Sequence, residues 1–232
     1  MPTKLEDVSR VTRSHRSAGR VYDRLSAGYD RLAGGSEGRF RAMGLELLDV
    51  RAGERVLEIG SGTGEALLAL RRGVGESGLA LGIDLSAGMA AVASRKLQKA
   101  AGLGRARLAL GDGCKIPCPA NSFDAIFMSF TLELFDTPEI PLVLAECGRV
   151  LRPGGRLCTV TLSCGERRAN AALGLYEWFH RILPDWVDCR PIPAGEFLRA
   201  AGLSAVCTRS GSMWGLPVEM TLAVKSGQTL AP

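Results

Sequence analysis

Nine residues, Val56-Leu57-Glu58-Ile59-Gly60-Ser61-Gly62-Thr63-Gly64, constrain the fold more than any other part of the chain. A short apolar run with the character of a buried strand is followed by glycine at every second position. A helix is then expected over 65–73, with Ala66, Leu67, Leu70 and Val74 as its apolar side. Glycines here let the backbone turn sharply and let a ligand approach main-chain atoms. Open parallel sheets bind ligands at such strand ends, beside the point where the strand order reverses.

The glycine pattern also narrows the ligand. A dinucleotide fingerprint needs G-x-G-x-x-G, and here the third glycine falls one position early, with Glu65 directly after it. A carboxylate at the helix start sits badly against a pyrophosphate of like charge. A nucleoside without a pyrophosphate fits better. Asp84 closes a second strand, 79–85, and an acid there accepts hydrogen bonds from both ribose hydroxyls. Ser86 is the better helix cap, which leaves Asp84 to the ligand. Asp112, in Gly111-Asp112-Gly113 after a third strand, can accept from the exocyclic amine of adenine. Met89, at the start of the next helix, is placed either to pack on the adenine face or to serve as plain core.

The rest of the chain alternates strand and helix. A helix ending at Arg51-Ala52-Gly53, an Ala-rich helix over 87–101, strands over 105–110 and 123–130, a helix over 140–151 and a strand over 156–162 follow the same rhythm. Arg152-Pro153-Gly154-Gly155 is expected as the turn before the last of these, and Gly34-Gly35-Ser36 as a break near the start. This is an α/β chain with a mostly parallel sheet and helices on both faces. The tail differs, with helices over 171–183 and 196–202. Strands over 203–209 and 218–224 then have no helix between them, and 211–217 is their expected turn. The last strand should therefore be antiparallel.

At 232 residues the chain suits one domain with small additions. The sequence holds no apolar run of the ~18 residues a spanning helix needs, nor a secretory signal at its start, which implies a cytosolic chain. A net charge of +5 is too mild, and too free of interleaved aromatics, to call for RNA or DNA. Arg10, Arg13, Arg16 and Arg20 would form one basic stripe on a helix, either a solvated face or a surface for phospholipid headgroups. Seven scattered cysteines and two histidines make reduced thiols the expected state and give no metal site.

Five segments in order, VLEIGSGTG (56–64), GIDLS (82–86), GDG (111–113), NSFDAIFMSFTLELF (121–135) and RVLRPGGRL (149–157), resemble the class I S-adenosylmethionine-dependent methyltransferases. The resemblance spans residues 20–163. It implies a Rossmann-like, seven-stranded sheet with an antiparallel last strand and S-adenosyl-L-methionine as cofactor. It further implies that Glu58, Gly60, Ser61, Gly62 and Gly64 surround the methionine part. Asp84 with Leu85 would hold the ribose, and Asp112 with Gly113 and Met89 the adenine. Ser129 would lie near the methyl group. Val21-Tyr22-Asp23 with Tyr29-Asp30 is similar to the ubiquinone/menaquinone biosynthesis C-methyltransferases and to bacterial phosphatidylethanolamine N-methyltransferases. In those enzymes an N-terminal helical segment, here residues 1–45, covers the cofactor, and Tyr29 would touch it. Residues 46–232 would then form the methyl-transfer domain.

Methyl transfer from a sulfonium requires the acceptor held in line and water excluded. A quinol acceptor also needs a base, for which Glu133 and His180 are candidates beside Asp136. Tyr176, Trp178, Phe179, Leu183 and Trp186 either pack a helix or form an apolar mouth. With the basic arm they point to a lipid-like acceptor such as a prenylated quinol, and to peripheral contact with a membrane surface. Phosphatidylethanolamine and a soluble small molecule are the alternative acceptors. A nicotinamide-dependent dehydrogenase or a non-catalytic nucleotide-binding module is the competing function.

Overall fold

A computed structural model of the chain describes residues 34–100, 104–164 and 189–227, together with Val8, Arg10, Val11, Tyr22 and Asp23. Within them, seven strands form one sheet: β1 (Arg55–Ile59), β2 (Leu79–Asp84), β3 (Ala106–Leu110), β4 (Phe123–Ser129), β5 (Leu151–Leu162), β6 (Leu203–Met213) and β7 (Leu216–Lys225). The described helices are α1 (Gly34–Leu48), α2 (Glu65–Val74), α3 (Ala87–Lys99), α4 (Ile140–Val150) and α5 (Ala194–Ala200). A 3-10 turn, Leu132–Leu134, follows β4. Tyr29, His180 and the aromatic segment 176–186 lie outside the described residues, as do Arg13, Arg16 and Arg20.

The strand order is β3-β2-β1-β4-β5-β7-β6. Strands β1 to β5 pair in parallel, and β7 runs antiparallel between β5 and β6. This is the Rossmann-like sheet expected from the sequence, with its antiparallel last strand. The order reverses between β1 and β4, so a crevice opens at their C-terminal ends.

Alternation along the central strands divides the core in two. Val56, Ala125, Phe127, Cys158 and Val160 face Phe40, Leu47 and Leu48 of α1 and Leu67, Leu70 and Val74 of α2. Leu57, Ile59, Ile126, Met128 and Leu157 face the other way, onto Val143, Leu144 and Cys147 of α4 and Phe197 and Leu198 of α5. Strands buried on both faces have no polar side to show, so β4 reads FDAIFMS with six of its seven residues buried.

The element boundaries depart from expectation in three places. Gly34-Gly35-Ser36 opens α1 rather than separating elements, and α1 then runs unbroken to Leu48. β5 begins at Leu151, directly after α4, because Leu151 already pairs with Phe123. The register then jumps to Ala125 opposite Arg156, so 152–155 form an excursion within the strand. The final hairpin turns at Trp214-Gly215 alone, both with positive φ (53° and 83°), as a two-residue primed turn requires. Gly211 belongs to β6. A Cβ there would lie 2.5 Å from the Phe40 ring, so its glycine marks the close approach of α1 and not a turn.

Candidate functional site

β1 delivers its last residues into a turn that no ordinary side chain would allow. Gly60 has φ 72°, and a Cβ on it would lie 2.5 Å or less from Thr131, which lies just after β4. The absence of a side chain at Gly60 is therefore what brings the ends of β1 and β4 together. Gly60 N and Ser61 N both donate to Ile83 O, at 2.9 and 3.1 Å, which stitches the turn to β2. Gly64 precedes α2 as its cap, and Leu68 N donates to Gly64 O at 3.0 Å.

A pocket opens at this point. Glu58, Gly60, Ser61 and Gly62 line it from β1 and the turn, and Asp84, Leu85 and Met89 from β2 and α3. Gly113 and Ser129 line it from the ends of β3 and β4. Most of the residues singled out in the sequence thus meet in one cavity. Gly64 stands just behind it as the helix cap. Asp112 lies between two lining residues, Gly111 and Gly113, and its Oδ1 accepts from Cys114 N at 2.9 Å.

Asp84 is held firmly. Its Oδ2 accepts from Gly62 N at 2.7 Å and its Oδ1 from Ser86 N at 2.8 Å. Ser86 caps α3 by accepting from Met89 N at 3.0 Å, as the sequence suggested. Burial pushes the Asp84 carboxyl above the usual carboxylate range, against the pull of its backbone donors. Burial likewise pushes Glu58 well up, opposed by the nearby Arg41 guanidinium.

Three polar atoms around the pocket, Glu58 Oε2, Ser61 Oγ and Ser129 Oγ, are buried without a hydrogen-bond partner. Buried polar atoms are ordinarily satisfied, so three in one cavity mark the place of a polar ligand. Beside them stands an apolar wall of Phe130, Leu134 and Phe135.

Sequence reasoning missed Glu37 and Arg41, which enter the pocket from α1. Their spacing of four places them on one helix face, a signal obscured by taking Gly34-Gly35-Ser36 as a break. It also missed Arg190, which is fully buried. Arg190 donates to Phe135 O at 2.6 Å, Glu133 O at 3.2 Å and Thr137 Oγ1 at 3.0 Å, so it braces the pocket wall from behind. Glu133 lies on this hidden side. It is 0% exposed, it does not line the pocket, and its Oε1 accepts from Leu162 N at 3.1 Å. Burial pushes its carboxyl up to about 8, so it is neutral at pH 7.

The described N-terminal residues reach the pocket from two sides. Arg10 forms an ion pair with Asp136 at 2.6 Å, and Val11 N donates to Asp136 Oδ1 at 2.9 Å. Asp23 Oδ1 accepts from Ser86 Oγ at 2.6 Å and Gly88 N at 2.8 Å. Val11 and Tyr22 line the cavity between these contacts.

Comparison with known proteins agrees with this geometry. Residues 56–155 match the model of a methyltransferase domain. The chain is 38% identical over 141 residues to the nocamycin O-methyltransferase of Saccharothrix syringae, covering 59% of this chain but only 48% of that protein. It is 33% identical over 168 residues to the demethylmenaquinone methyltransferase of Geobacillus kaustophilus, covering 71% of this chain and 70% of the relative. Among solved structures, an S-adenosylmethionine-dependent methyltransferase from Aquifex aeolicus superposes with a TM-score of 0.60 at 26% identity, covering 80% of this chain and 89% of that one. A glycine turn beside orphaned polar atoms, on this sheet and with these relatives, makes the chain a member of the S-adenosylmethionine-dependent methyltransferase family.

Proposed function

We propose that the chain methylates a lipophilic hydroxylated ring, with a prenylated quinol as the acceptor and a ring carbon as the methylated atom. The observation that carries this reading is the apolar wall of Phe130, Leu134 and Phe135 beside the orphaned polar atoms, a surface suited to a flat apolar ring. The demethylmenaquinone methyltransferase relative supports it.

The residues present fit the cofactor. Glu58 Oε2 can accept from the methionyl ammonium, and Arg41, the one cationic side chain among the described lining residues, can pair with the methionyl carboxylate. Gly60, Ser61, Gly62 and Gly64 shape the turn around this part. Asp84 with Leu85 faces the ribose, and Asp112, Gly113 and Met89 the adenine. Ser129 would stand near the reacting methyl, and Tyr29, outside the described residues, would touch the cofactor. The bound sulfonium supplies the methyl group. The protein's part is to hold the acceptor in line and exclude water, with residues 1–45 acting as the cover over a methyl-transfer domain of 46–232. Among the described residues no helix is long and apolar enough to cross a membrane. A lipophilic acceptor would then be met at the membrane surface by peripheral contact.

The test is direct. The purified chain is incubated with radiolabelled S-adenosylmethionine and a reduced demethylmenaquinone in detergent, and the products are partitioned between organic and aqueous phases. The expected outcome is protein-dependent label in the organic phase, on a ring carbon by mass spectrometry. Label on oxygen would move the assignment toward the O-methyltransferase relative. No label, despite a thermal shift with S-adenosylhomocysteine, would reject the quinol acceptor.

A further inference from the structure

Between Asp84 and Asp112 the chain has no acidic residue, yet it carries Arg95, Lys96, Lys99, Arg105 and Arg107. These five equal the net charge of +5, so the rest of the chain is balanced, with 24 basic and 24 acidic residues. The fold gathers this excess at one place. The stretch forms α3 and then β3, and β3 is an edge of the sheet.

α3 packs along β2 and β3. Arg95 and Lys99, one turn apart, share a face of α3, and Arg105 and Arg107, two apart, share a side of the β3 segment. Arg71 of α2, Ser94 and Gln98 of α3, and Arg105 and Arg107 line one cleft between these elements. Arg71 fastens it by donating to Gly104 O, Leu97 O and Ala100 O at 3.0, 3.1 and 3.2 Å. Lys96 is paired with Glu65. Arg95, Lys99, Arg105 and Arg107 are exposed, and none forms an ion pair among the described residues. Such a cluster repels itself and attracts an anionic surface. Charge on an edge strand also keeps it from pairing with another strand, which accounts for Arg107 but not for Arg95 and Lys99 on α3.

Two apolar side chains stand where this edge meets the pocket. Leu110, which ends β3, is 60% exposed, and Leu85, directly after β2, is 40% exposed. Leu85 and Gly111, the neighbour of Leu110, line the pocket. We propose that the β3 edge and the adjoining face of α3 form a docking surface for an anionic lipid bilayer. The cations meet lipid phosphates, and the leucines at the rim enter the boundary between headgroups and acyl chains. A nucleic acid fits this surface less well, because residues 85–110 hold no Phe, Tyr or Trp on which a base could stack. The inference deepens the lipophilic-acceptor reading above by naming the surface at which such an acceptor is met, and docking sets the pocket rim against the bilayer.

The experiment reads sedimentation of the full chain with vesicles free of quinol, so its result is independent of the acceptor reading. Vesicles of phosphatidylcholine alone are compared with vesicles containing about one-third phosphatidylglycerol. The unmodified chain should bind the anionic vesicles and scarcely the neutral ones. Each cation at such a surface is worth about a 5-fold change in partitioning, so Arg105→Glu with Arg107→Glu should lower binding about 20-fold or more. Arg95→Gln with Lys99→Gln, a milder pair, should lower it in the same direction, and Leu110→Ser should lower it several-fold at unchanged charge. Affinity for S-adenosylhomocysteine should stay within about 3-fold in every variant, which shows that the fold is kept. Arg51→Glu with Arg199→Glu makes the same change in net charge at exposed positions elsewhere and should have little effect. Equal loss in that control would overturn the proposal, since net charge and not this edge would then govern binding. Undiminished vesicle binding in both edge variants would overturn it too. So would an unmodified chain that ignores anionic vesicles, or one that ignores them but binds RNA through Arg105 and Arg107.

Discussion

Asp84 Oδ2 accepts a hydrogen bond from Gly62 N at 2.7 Å, so the last residue of β2 holds the middle of the glycine turn that follows β1. The carboxylate proposed above for the ribose hydroxyls thus also shapes the glycine loop. Asp84→Asn keeps one carbonyl acceptor but loses the charge. Charge-assisted bonds to hydroxyls contribute about 1.5–3 kcal/mol, so affinity for S-adenosylhomocysteine should fall about 10- to 100-fold by calorimetry. The melting midpoint without ligand should also fall, because the Asn NH2 group would face one of the two backbone N–H donors, Gly62 N or Ser86 N, that the carboxylate satisfies. A variant that binds the ligand with unchanged affinity would remove Asp84 from the site.

Gly60 and Thr131 make a second, steric prediction. A Cβ at position 60 would lie 2.4 Å from Thr131 Cγ2, on a backbone with φ 72°. Gly60→Ala should cost about 1 kcal/mol or more in backbone strain alone, before the clash is counted. Adding Thr131→Ala removes the Cγ2 and Oγ1 contacts but leaves the Cβ of residue 131 at 3.0 Å and the backbone strain, so the double variant should recover part of the melting temperature and remain below the unmodified chain. Full recovery in the double variant would show that the backbone at Gly60 is not strained by a side chain.

Glu133 gives a pH prediction whose sign is fixed by burial. Its carboxyl is raised to about 8 in the folded chain, whereas its unfolded value is near 4.5. The unfolded chain releases this proton first, so the stability held below about pH 4.5 is lost as the pH rises toward about 8. The slope from this one group approaches about 1.4 kcal/mol per pH unit in that window. Denaturant melts of the unmodified chain against Glu133→Gln should show the variant gaining relative stability from pH 5 to 8 and then levelling off. Parallel curves across that range would mean that Glu133 is ionised in the folded state.

The cofactor half of the site was legible because it is local. Strand, glycine turn, helix and the acid at the next strand end follow one another within 30 residues, and each type has a short-range cause. The wall opposite was not legible, because it is assembled at long range. Arg190 reads as one more basic residue, between Cys189 and Pro191, until the fold brings it behind Phe135. Glu133 reads as a base because it follows β4, yet a 3-10 turn swings its side chain toward Leu162 N and away from the cavity. Glu37 and Arg41 were hidden by glycines that signal a loop when α1 in fact starts there. Local rules identify ends and turns, and packing decides which way a side chain faces.

The last prediction concerns the cover. Arg10 and Val11 are tied to Asp136 beyond β4, and Asp23 is tied to Ser86 and Gly88 beyond β2, so the described N-terminal contacts straddle the cavity. If this segment covers the cofactor, each tie should slow ligand exit more than it strengthens initial capture. Asp136→Asn and Asp23→Asn should each raise the dissociation rate of S-adenosylhomocysteine several-fold in stopped-flow displacement, with association rates changed less. The Arg10 hydrogen bond holds the Asp136 carboxyl down to about 2, so that tie is intact throughout the neutral range. The rate should therefore be flat from pH 6 to 8 in the unmodified chain. It should rise modestly with salt, because Arg10 is largely exposed and its ion pair is open to screening. Dissociation rates equal in all three proteins would show that the ligand leaves by a path these ties do not close, and the segment would then be a scaffold for the pocket rim.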